Sequence, residues 1–239
     1  MPLPKISTPS YELVIPSNKK KIKFRPFLVK EEKVLIIAME SQDNKQIANA
    51  IKDVLSACIL TRGVKINDLS TFDIEYLFLN IRGKSVGEEV EVMVTCPDDG
   101  ETQVPTVINL DDIKVQVNDK HSQDIVLDGE YTLRMKYPSM EEFIKTNFSS
   151  DGEVAVDDTF KLIASCVEQV YSEEESWAGA DCTKKELSDF VESLNSKQFK
   201  DIERFFDTMP KLSHTVKVIN PKTKKENEVV LEGLQSFFV

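Results

Sequence analysis

The chain contains few of the residues from which catalytic and cofactor sites are most often built. Its 239 residues include only two histidines, four cysteines and eight glycines. Neither glycine-rich phosphate-binding pattern, G-x-x-x-x-G-K-[ST] or G-x-G-x-x-G, occurs in it. His121 and His214 have no serine or cysteine pattern beside them that would indicate a catalytic triad. These absences predict a protein that is not an enzyme and that needs no cofactor.

The cysteines lack the close spacing of metal sites and of disulfide frameworks. Cys58 and Cys166 lie among apolar residues at helical positions, so we expect them to act as small buried hydrophobic residues. A reducing cytosol is the environment that this usage indicates. No apolar run approaches membrane-spanning length and the start has no apolar signal core, so no membrane-spanning segment is predicted.

Positive charge is also scarce. The chain has 30 Lys and Arg against 41 Asp and Glu, which gives a formal net charge of -11. Binding to nucleic acid relies on clustered Lys and Arg that displace phosphate counterions. The basic run Lys19–Lys21 is typical of a solvated hairpin turn. The sequence therefore predicts no nucleic-acid partner.

What the sequence does contain is hydrophobic periodicity of two kinds. Alternating residues at 11–15 and 21–25 predict a β-hairpin. Apolar stripes with helical spacing predict helices: one comprises Ile47, Ile51, Val54, Leu55 and Cys58; another Phe160, Ile163, Ala164, Val167 and Tyr171; two more run through Leu187–Leu194 and Phe199–Phe206. The fold class predicted is α+β, with helical layers that carry two β-hairpin elements.

Changes in composition divide the chain into four segments that we expect to form one compact unit. Residues 1–87 hold the N-terminal hairpin and core helices, and residues 88–137 form a β region. Residues 138–212 are helical, with capping boxes at Ser139 and Thr183, and Ser172–Asp181 is a polar loop. Residues 213–239 form a C-terminal hairpin and an apolar tail.

Two hairpins in these segments follow one pattern. When the chain is shifted by 124 residues, EVMVTCPDDGETQVPTVINLDDI aligns with TVKVINPKTKKENEVVLEGLQSF. Both stretches read as strand, proline-led polar turn, strand, then a leucine and a closing apolar residue. From this repeat we expect the middle β region to pair with the C-terminal hairpin.

The first of these turns, TCPDDGETQVP, resembles half of a zinc-ribbon knuckle, C-P-x-C-G. Position 99 is Asp where a second cysteine would stand, and the repeat supplies no thiolate at Asn220 or Thr223. A structural zinc site needs four ligands in a tetrahedral arrangement. Cys96 alone cannot hold the ion, so the stretch predicts a plain turn in which Pro97 presets φ and Gly100 takes the left-handed position.

The remaining candidates for function lie on the surface. Trp177, the only tryptophan, is expected to pack over the helical layer, and the alternative is that it anchors a binding partner. Leu234, Phe237 and Phe238 make the C-terminus apolar. That tail either folds back onto the core or is free to act as a docking peptide.

Several longer stretches together resemble one protein family. They are IKFRPFLVKEEKVLIIAMES, FDIEYLFLNIRGKSVGEEVEV, FFDTMPKLSHTV and the final LEGLQSFF. The chain is similar, from about Tyr11 to Phe238, to the T4-type baseplate hub assembly proteins of contractile-tailed phages. The resemblance also implies C-P-x-C-G knuckles at both hairpins, from which this chain departs at Asp99, Asn220 and Thr223. By this comparison the hairpins resemble degenerate, metal-free zinc-ribbon knuckles.

The resemblance implies a non-enzymatic role in which the partners are other phage baseplate hub proteins. The first hypothesis is a chaperone or scaffold that acts in the host cytoplasm during tail assembly. The second is a permanent structural subunit of the hub in the virion baseplate. A third, from a different class, is a tail-associated cell-wall hydrolase, which would need a cleft with paired carboxylates.

Overall fold

A computed structural model of the chain describes residues 6–140, 142, 156–233 and 236. Within these residues six α-helices accompany four small antiparallel sheets, which confirms the α+β class. The chain divides into two compact units. The first unit comprises Met1–Ile66, Phe72–Gln116 and Lys211–Val239, and the second comprises Asn67–Thr71 and Val117–Pro210.

Helices and strands are interspersed along the chain. The helices are α1 (Val29–Glu40), α2 (Asn44–Cys58), α3 (Thr71–Val86), α4 (Val156–Ser165), α5 (Lys184–Ser193) and α6 (Ser196–Thr208). The strands are β1 (Tyr11–Val14), β2 (Lys21–Phe24), β3 (Glu89–Thr95), β4 (Gln103–Asn109), β5 (Lys114–Gln116), β6 (Asp124–Val126), β7 (Thr132–Met135), β8 (Val167–Tyr171), β9 (Ser176–Ala178), β10 (Lys211–Ile219) and β11 (Glu226–Glu232). None of the described helices is long and apolar enough to cross a membrane.

The first unit combines α1–α3 with three sheets. Strands β1 and β2 form the predicted N-terminal hairpin, β3 pairs with β4, and β10 lies between β11 and β5. The β10–β5 pairing, from Lys211 opposite Gln116 to Ser213 opposite Lys114, confirms the predicted link between the middle β region and the C-terminal hairpin. Helix α3 is buried on most of its sides because EYLFLNIR is apolar nearly all round, so it forms the centre of this core.

Three hairpins of this unit turn in the same way. Each turn starts at a residue with no exposed surface, continues with proline, and places its fifth residue at positive φ: 57° at Lys19, 70° at Gly100 and 62° at Lys224. In each, the fourth side chain accepts a hydrogen bond from the backbone N–H two residues later. The turns that begin at Cys96 and Asn220 are the predicted repeat. The turn that begins at Ile15 is a third copy, which sequence comparison missed.

The second unit packs α4, α5 and α6 with the antiparallel sheet β6-β7-β8-β9. Its core contains Leu133 and Met135 from β7, Val167 from β8, and Ile202 and Phe205 from α6. Both predicted capping boxes are present, since Glu142 bonds the backbone N–H of Ser139 and Glu186 bonds that of Thr183. Cys58 and Cys166 are fully buried, as predicted, and burial raises the pKa of the Cys58 thiol to about 11.

Two assignments in this region were wrong. Val167 and Tyr171 belong to strand β8, not to the helical stripe that begins at Phe160, because the helix ends at Ser165. Residues 172–181 are not wholly loop, since they include β9 and therefore Trp177. Val167 and Tyr171 are four residues apart, and residues with that spacing share one face of a strand as well as one face of a helix. Hydrogen bonding of β8 to β7 on one side and to β9 on the other decides between the two.

His121 lies in an aromatic pocket of the second unit. Its Nδ1 is 3.0 Å from the Thr208 hydroxyl and its Nε2 is 3.0 Å from the Tyr137 hydroxyl, while its ring centroid is 5.2 Å from that of Phe205. Burial lowers the pKa of His121 below its ordinary value of 6.5. The folded protein therefore favours the neutral imidazole.

This burial predicts a pH-dependent stability. At pH above 6.5 the imidazole is neutral in both states; as the pH falls below 6.5, the unfolded chain takes up a proton that the folded chain resists. We expect the unfolding free energy of the second unit to decrease over this range and to become constant below the folded-state pKa. Urea titrations followed by Trp177 fluorescence would measure it, kept above about pH 5.5, where carboxylates do not titrate strongly. In His121→Gln the slope should flatten, and an unchanged slope would refute the assignment.

Candidate partner-binding groove

The turn that resembles half of a zinc knuckle is closed by hydrogen bonds. Asp99, in the place of the second cysteine, accepts from the Thr102 hydroxyl and from the backbone N–H groups of Glu101 and Thr102. These bonds, first among them that from the Thr102 hydroxyl, hold the pKa of Asp99 far below its ordinary value. Among the described residues no group of three or more His, Cys, Asp and Glu is placed to hold a metal ion. The zinc-ribbon part of the predicted fold is therefore not supported.

The same turn is fastened to the turn that starts at Asn220, within the first unit. Asn220 has no exposed surface, and its Nδ2 donates to Asp98 Oδ1 at 2.8 Å. Its Oδ1 accepts from the backbone N–H of Lys222 at 2.8 Å and of Thr223 at 3.3 Å. The Thr223 hydroxyl donates to the other oxygen of Asp98. A buried amide thus links the two turns and also shapes one of them.

Replacing Asn220 with alanine is expected to lower the unfolding free energy of the first unit by about 1–3 kcal/mol, because the buried amide is lost together with its hydrogen bonds to Asp98 and to the backbone N–H groups of Lys222 and Thr223. Urea unfolding followed by far-UV circular dichroism would measure the loss. Lys222→Ala, an exposed change in the same turn, is the control and should stay within about 0.5 kcal/mol of the parent. Equal effects of the two changes would contradict the role given to Asn220.

A groove with a volume of about 480 Å³ opens on the second unit. It is formed by the β6–β7 turn, β8, β9, α5 and the start of α6, where Gln198 Nε2 donates to the carbonyl of Leu127 at 2.9 Å. A volume of this size lies within the range of ligand-binding clefts. The lining is mainly apolar and aromatic: Leu127, Tyr131, Val167, Val170, Trp177, Leu187, Phe190 and Leu194.

Trp177 forms part of the groove wall and remains 43% exposed. It lies opposite Val170 in the β8–β9 pairing, and its ring centroid is 6.1 Å from that of Tyr131. The strand pairing fixes the backbone of Trp177, while its indole lines an open cleft. Its use as a partner anchor stays a prediction. The other predicted anchors, Leu234, Phe237 and Phe238, lie outside the described residues.

Gly179 allows the segment that carries Trp177 to approach strand β8 closely. A Cβ atom at position 179 would clash with the backbone carbonyl oxygen of Val167 and would lie 3.2 Å from that of Glu168. Because backbone atoms cannot move aside as a flexible side chain can, only glycine fits this approach. The wall of the groove therefore depends on a residue without a side chain.

Within the described part of the chain, the charged groups that line the groove are all acidic. Asp128 accepts hydrogen bonds from the backbone N–H groups of Tyr131 and Glu130, and these bonds lower its pKa. Glu186 bonds the backbone N–H and the hydroxyl of Thr183, which lowers the pKa of Glu186 too. Both carboxylates are therefore ionised and held in place at neutral pH. No Lys, Arg or His is among the described residues that line the groove.

A second exposed apolar surface lies on α1 in the first unit. Val29, Ile36 and Ile37 are 79%, 51% and 55% exposed, while Leu35 and Ala38 on the opposite side are buried. Sequence analysis did not identify this surface, although a signal was present. Five consecutive apolar residues, VLIIA, cannot all face one side of a helix that turns 100° per residue.

Comparison with known proteins gives a consistent result. A family model described as "T4 bacteriophage base plate protein" matches residues 8–239. The chain is 25% identical over 231 residues to the "Baseplate hub assembly protein gp26" of Enterobacteria phage T4, an alignment that covers 95% of this chain and 97% of that protein. No solved structure matches the chain.

Proposed function

Because this chain belongs to the family of T4 bacteriophage base plate proteins, we propose that it is an assembly factor of a phage tail baseplate hub. The observation that carries the proposal is the family match over residues 8–239. The similarity to a protein named for baseplate hub assembly supports the hub as the place of action. The protein acts in the host cytoplasm while tails are built and binds other baseplate hub proteins.

The proposed role is non-enzymatic. The hydrolase alternative requires a carboxyl group whose pKa is raised, so that it can act as general acid at neutral pH. Two carboxyl groups line the Trp177 groove, but the pKa values of both Asp128 and Glu186 lie below their ordinary values. Their environment suits a fixed negative charge and does not favour proton donation. This arrangement supports binding as the role of the groove.

As an assembly factor, the protein holds hub subunits through exposed apolar surfaces while its net charge of -11 opposes self-association. The Trp177 groove and the exposed side of α1 are the apolar surfaces proposed to bind hub subunits. Such binding is transient, and the factor leaves once the hub is complete.

The test is a pull-down of the tagged chain from cells that make the tail proteins of the phage that encodes it, with purified particles analysed in parallel. We expect hub proteins to be captured from the lysate and the chain to be absent from particles. The chain at stoichiometric copy number in particles would instead make it a permanent structural subunit. Capture of no baseplate protein would overturn the hub assignment.

A peptidoglycan zymogram of the same purified protein tests the hydrolase alternative. We expect no clearing of the gel. Clearing that is lost in Glu186→Gln, which retains an acceptor for the capping bond to Thr183, would overturn the non-enzymatic proposal.

A further inference from the structure

The Trp177 groove combines features that together specify the chemistry of its ligand. Its lining is largely apolar, with Val167 buried and Val170, Leu187 and Phe190 partly exposed. An apolar cleft of this size is suited to a few aliphatic or aromatic side chains of a partner. The exposed Trp177 at its edge is the residue type most often found at the energetic centre of protein interfaces.

Negatively charged side chains lie in the groove and near it. Asp128 and Glu186 line the groove itself. Glu130 and Glu175 lie near enough to Tyr131, another lining residue, to raise the pKa of its hydroxyl, with Glu130 the larger influence. Two carboxylates thus line the groove and two more lie near Tyr131, while no basic residue is among the described lining residues.

Aromatic rings strengthen the preference for positive charge. Trp177 and Tyr131, which line the groove together with Asp128 and Glu186, lie 6.1 Å apart between ring centroids. A Lys ammonium or an Arg guanidinium is attracted both to the face of an indole or phenol ring and to a carboxylate. The second unit already uses this combination elsewhere, since Arg134 bonds Asp124 and lies 5.9 Å from the centre of the Tyr171 ring.

We infer that the Trp177 groove binds a short segment of a hub protein in which apolar side chains are flanked by Lys or Arg. The apolar side chains of the segment enter the groove. Its Lys or Arg side chains lie between the rings of Trp177 and Tyr131 and the nearby carboxylates, which are those of Asp128, Glu130, Glu175 and Glu186. Naming a hub protein as the source rests on the proposed function, whereas the class of segment follows from the groove alone. An acidic segment is repelled by the same carboxylates, so the groove selects by charge as well as by shape.

The experiment measures binding of synthetic peptides to the full chain. Short overlapping peptides that cover the hub proteins of the encoding phage are titrated while the fluorescence of Trp177, the sole tryptophan, is recorded. We expect binding only by peptides that combine apolar residues with Lys or Arg, and weaker binding as salt is raised. A set in which Lys and Arg are replaced by Glu should not bind.

Two sets of variants test the site, with binding followed by calorimetry. Trp177→Ala should weaken binding by at least about thirtyfold, and Trp177→Phe by less. Asp128→Asn with Glu186→Gln removes both lining charges while each amide can still accept the local backbone bonds, and it should weaken binding roughly three- to tenfold. The matched control is Asp189→Asn with Glu192→Gln, which removes two exposed charges of α5 that do not line the groove. The control should leave affinity unchanged.

Several outcomes would overturn the inference. For the peptides, they are equal binding by the Glu-substituted set, no fluorescence change with any peptide, and tightest binding by a peptide of this chain's own C-terminus titrated alongside. For the variants, the outcome is an equal loss of affinity in the two charge-removing pairs. Each variant should unfold at the same temperature as the parent protein, so that a loss of affinity is not a loss of folding. If the Trp177→Ala variant still captures hub proteins, the groove is not the binding site but the proposed function stands. If basic apolar peptides bind but no hub protein is captured, the groove is a binding site and the proposed function fails.

Discussion

Replacing Phe205 with alanine is expected to lower the unfolding free energy of the second unit by about 3–5 kcal/mol. Phe205 is only 2% exposed, and its ring lies 5.7 Å from Tyr137 and 5.1 Å from Phe206 between centroids. Truncation removes a large buried side chain from this aromatic cluster and leaves a cavity that the surrounding helix and sheet cannot close.

Trp177 makes this loss measurable, since it belongs to the same unit and is the only tryptophan. Urea unfolding of Phe205→Ala followed by its fluorescence should show an earlier midpoint. Phe205→Leu, which keeps much of the buried volume, is the matched comparison and should lose less. If alanine and leucine have the same small effect, the cluster does not carry the stability assigned to it.

A second large effect is expected in the first unit, where Glu31→Ala should cost about 3 kcal/mol or more. Glu31 is 6% exposed. One of its oxygens lies 3.0 Å from Nη2 of Arg25, and the other accepts the backbone N–H of Leu28 at 2.7 Å. Alanine removes the carboxylate that pairs with the partly buried guanidinium and the acceptor of the Leu28 backbone N–H just before α1.

A double variant separates the ion pair from simple packing. Arg25→Met with Glu31→Leu removes both charges and should be less destabilised than Glu31→Ala alone, because no unpaired charge remains buried. Far-UV circular dichroism during urea unfolding is the measurement, as the first unit contains no tryptophan. A double variant less stable than Glu31→Ala would contradict the account.

Acid should weaken the same contact. Burial raises the pKa of Glu31, but the hydrogen bonds from Arg25 and Leu28 outweigh it, so that the pKa lies below the ordinary value of 4.5. The stabilisation is complete above pH 4.5 and is lost as the pH falls through the folded-state pKa.

Local sequence was sufficient to predict an element when its hydrogen bonds join residues only a few positions apart. The predicted turns at Pro97 and Pro221 formed because proline, a polar fourth residue and a left-handed fifth residue all lie within one turn. Glycine is not required at the fifth position of these turns, since Lys19 and Lys224 both take the left-handed conformation there. A search for glycine alone cannot find such a turn.

Strand β8 shows where local sequence fails. VEQVY has apolar residues at spacings that fit one face of a helix and also a strand. The choice depends on β7, whose paired residues lie 32 to 39 positions earlier in the chain, and on β9, which follows β8. Trp177 was identified as a candidate from its type and its polar neighbours, but its place in the wall of a groove depends on residues from Leu127 to Gln198.

The sequence by itself determined the mixed helical and β composition, the hairpin turns, the helix caps, the family and the acidic charge. Each of these depends on residue type, on spacing within a few residues or on similarity along the chain. Tertiary structure alone decided that Asn220 bonds Asp98, 122 residues earlier, and so bridges two turns, and that Trp177, Asp128 and Glu186 share one groove. Contacts between residues so distant in sequence form only when the hydrophobic faces of helices and strands pack together, and no local pattern encodes which faces will meet.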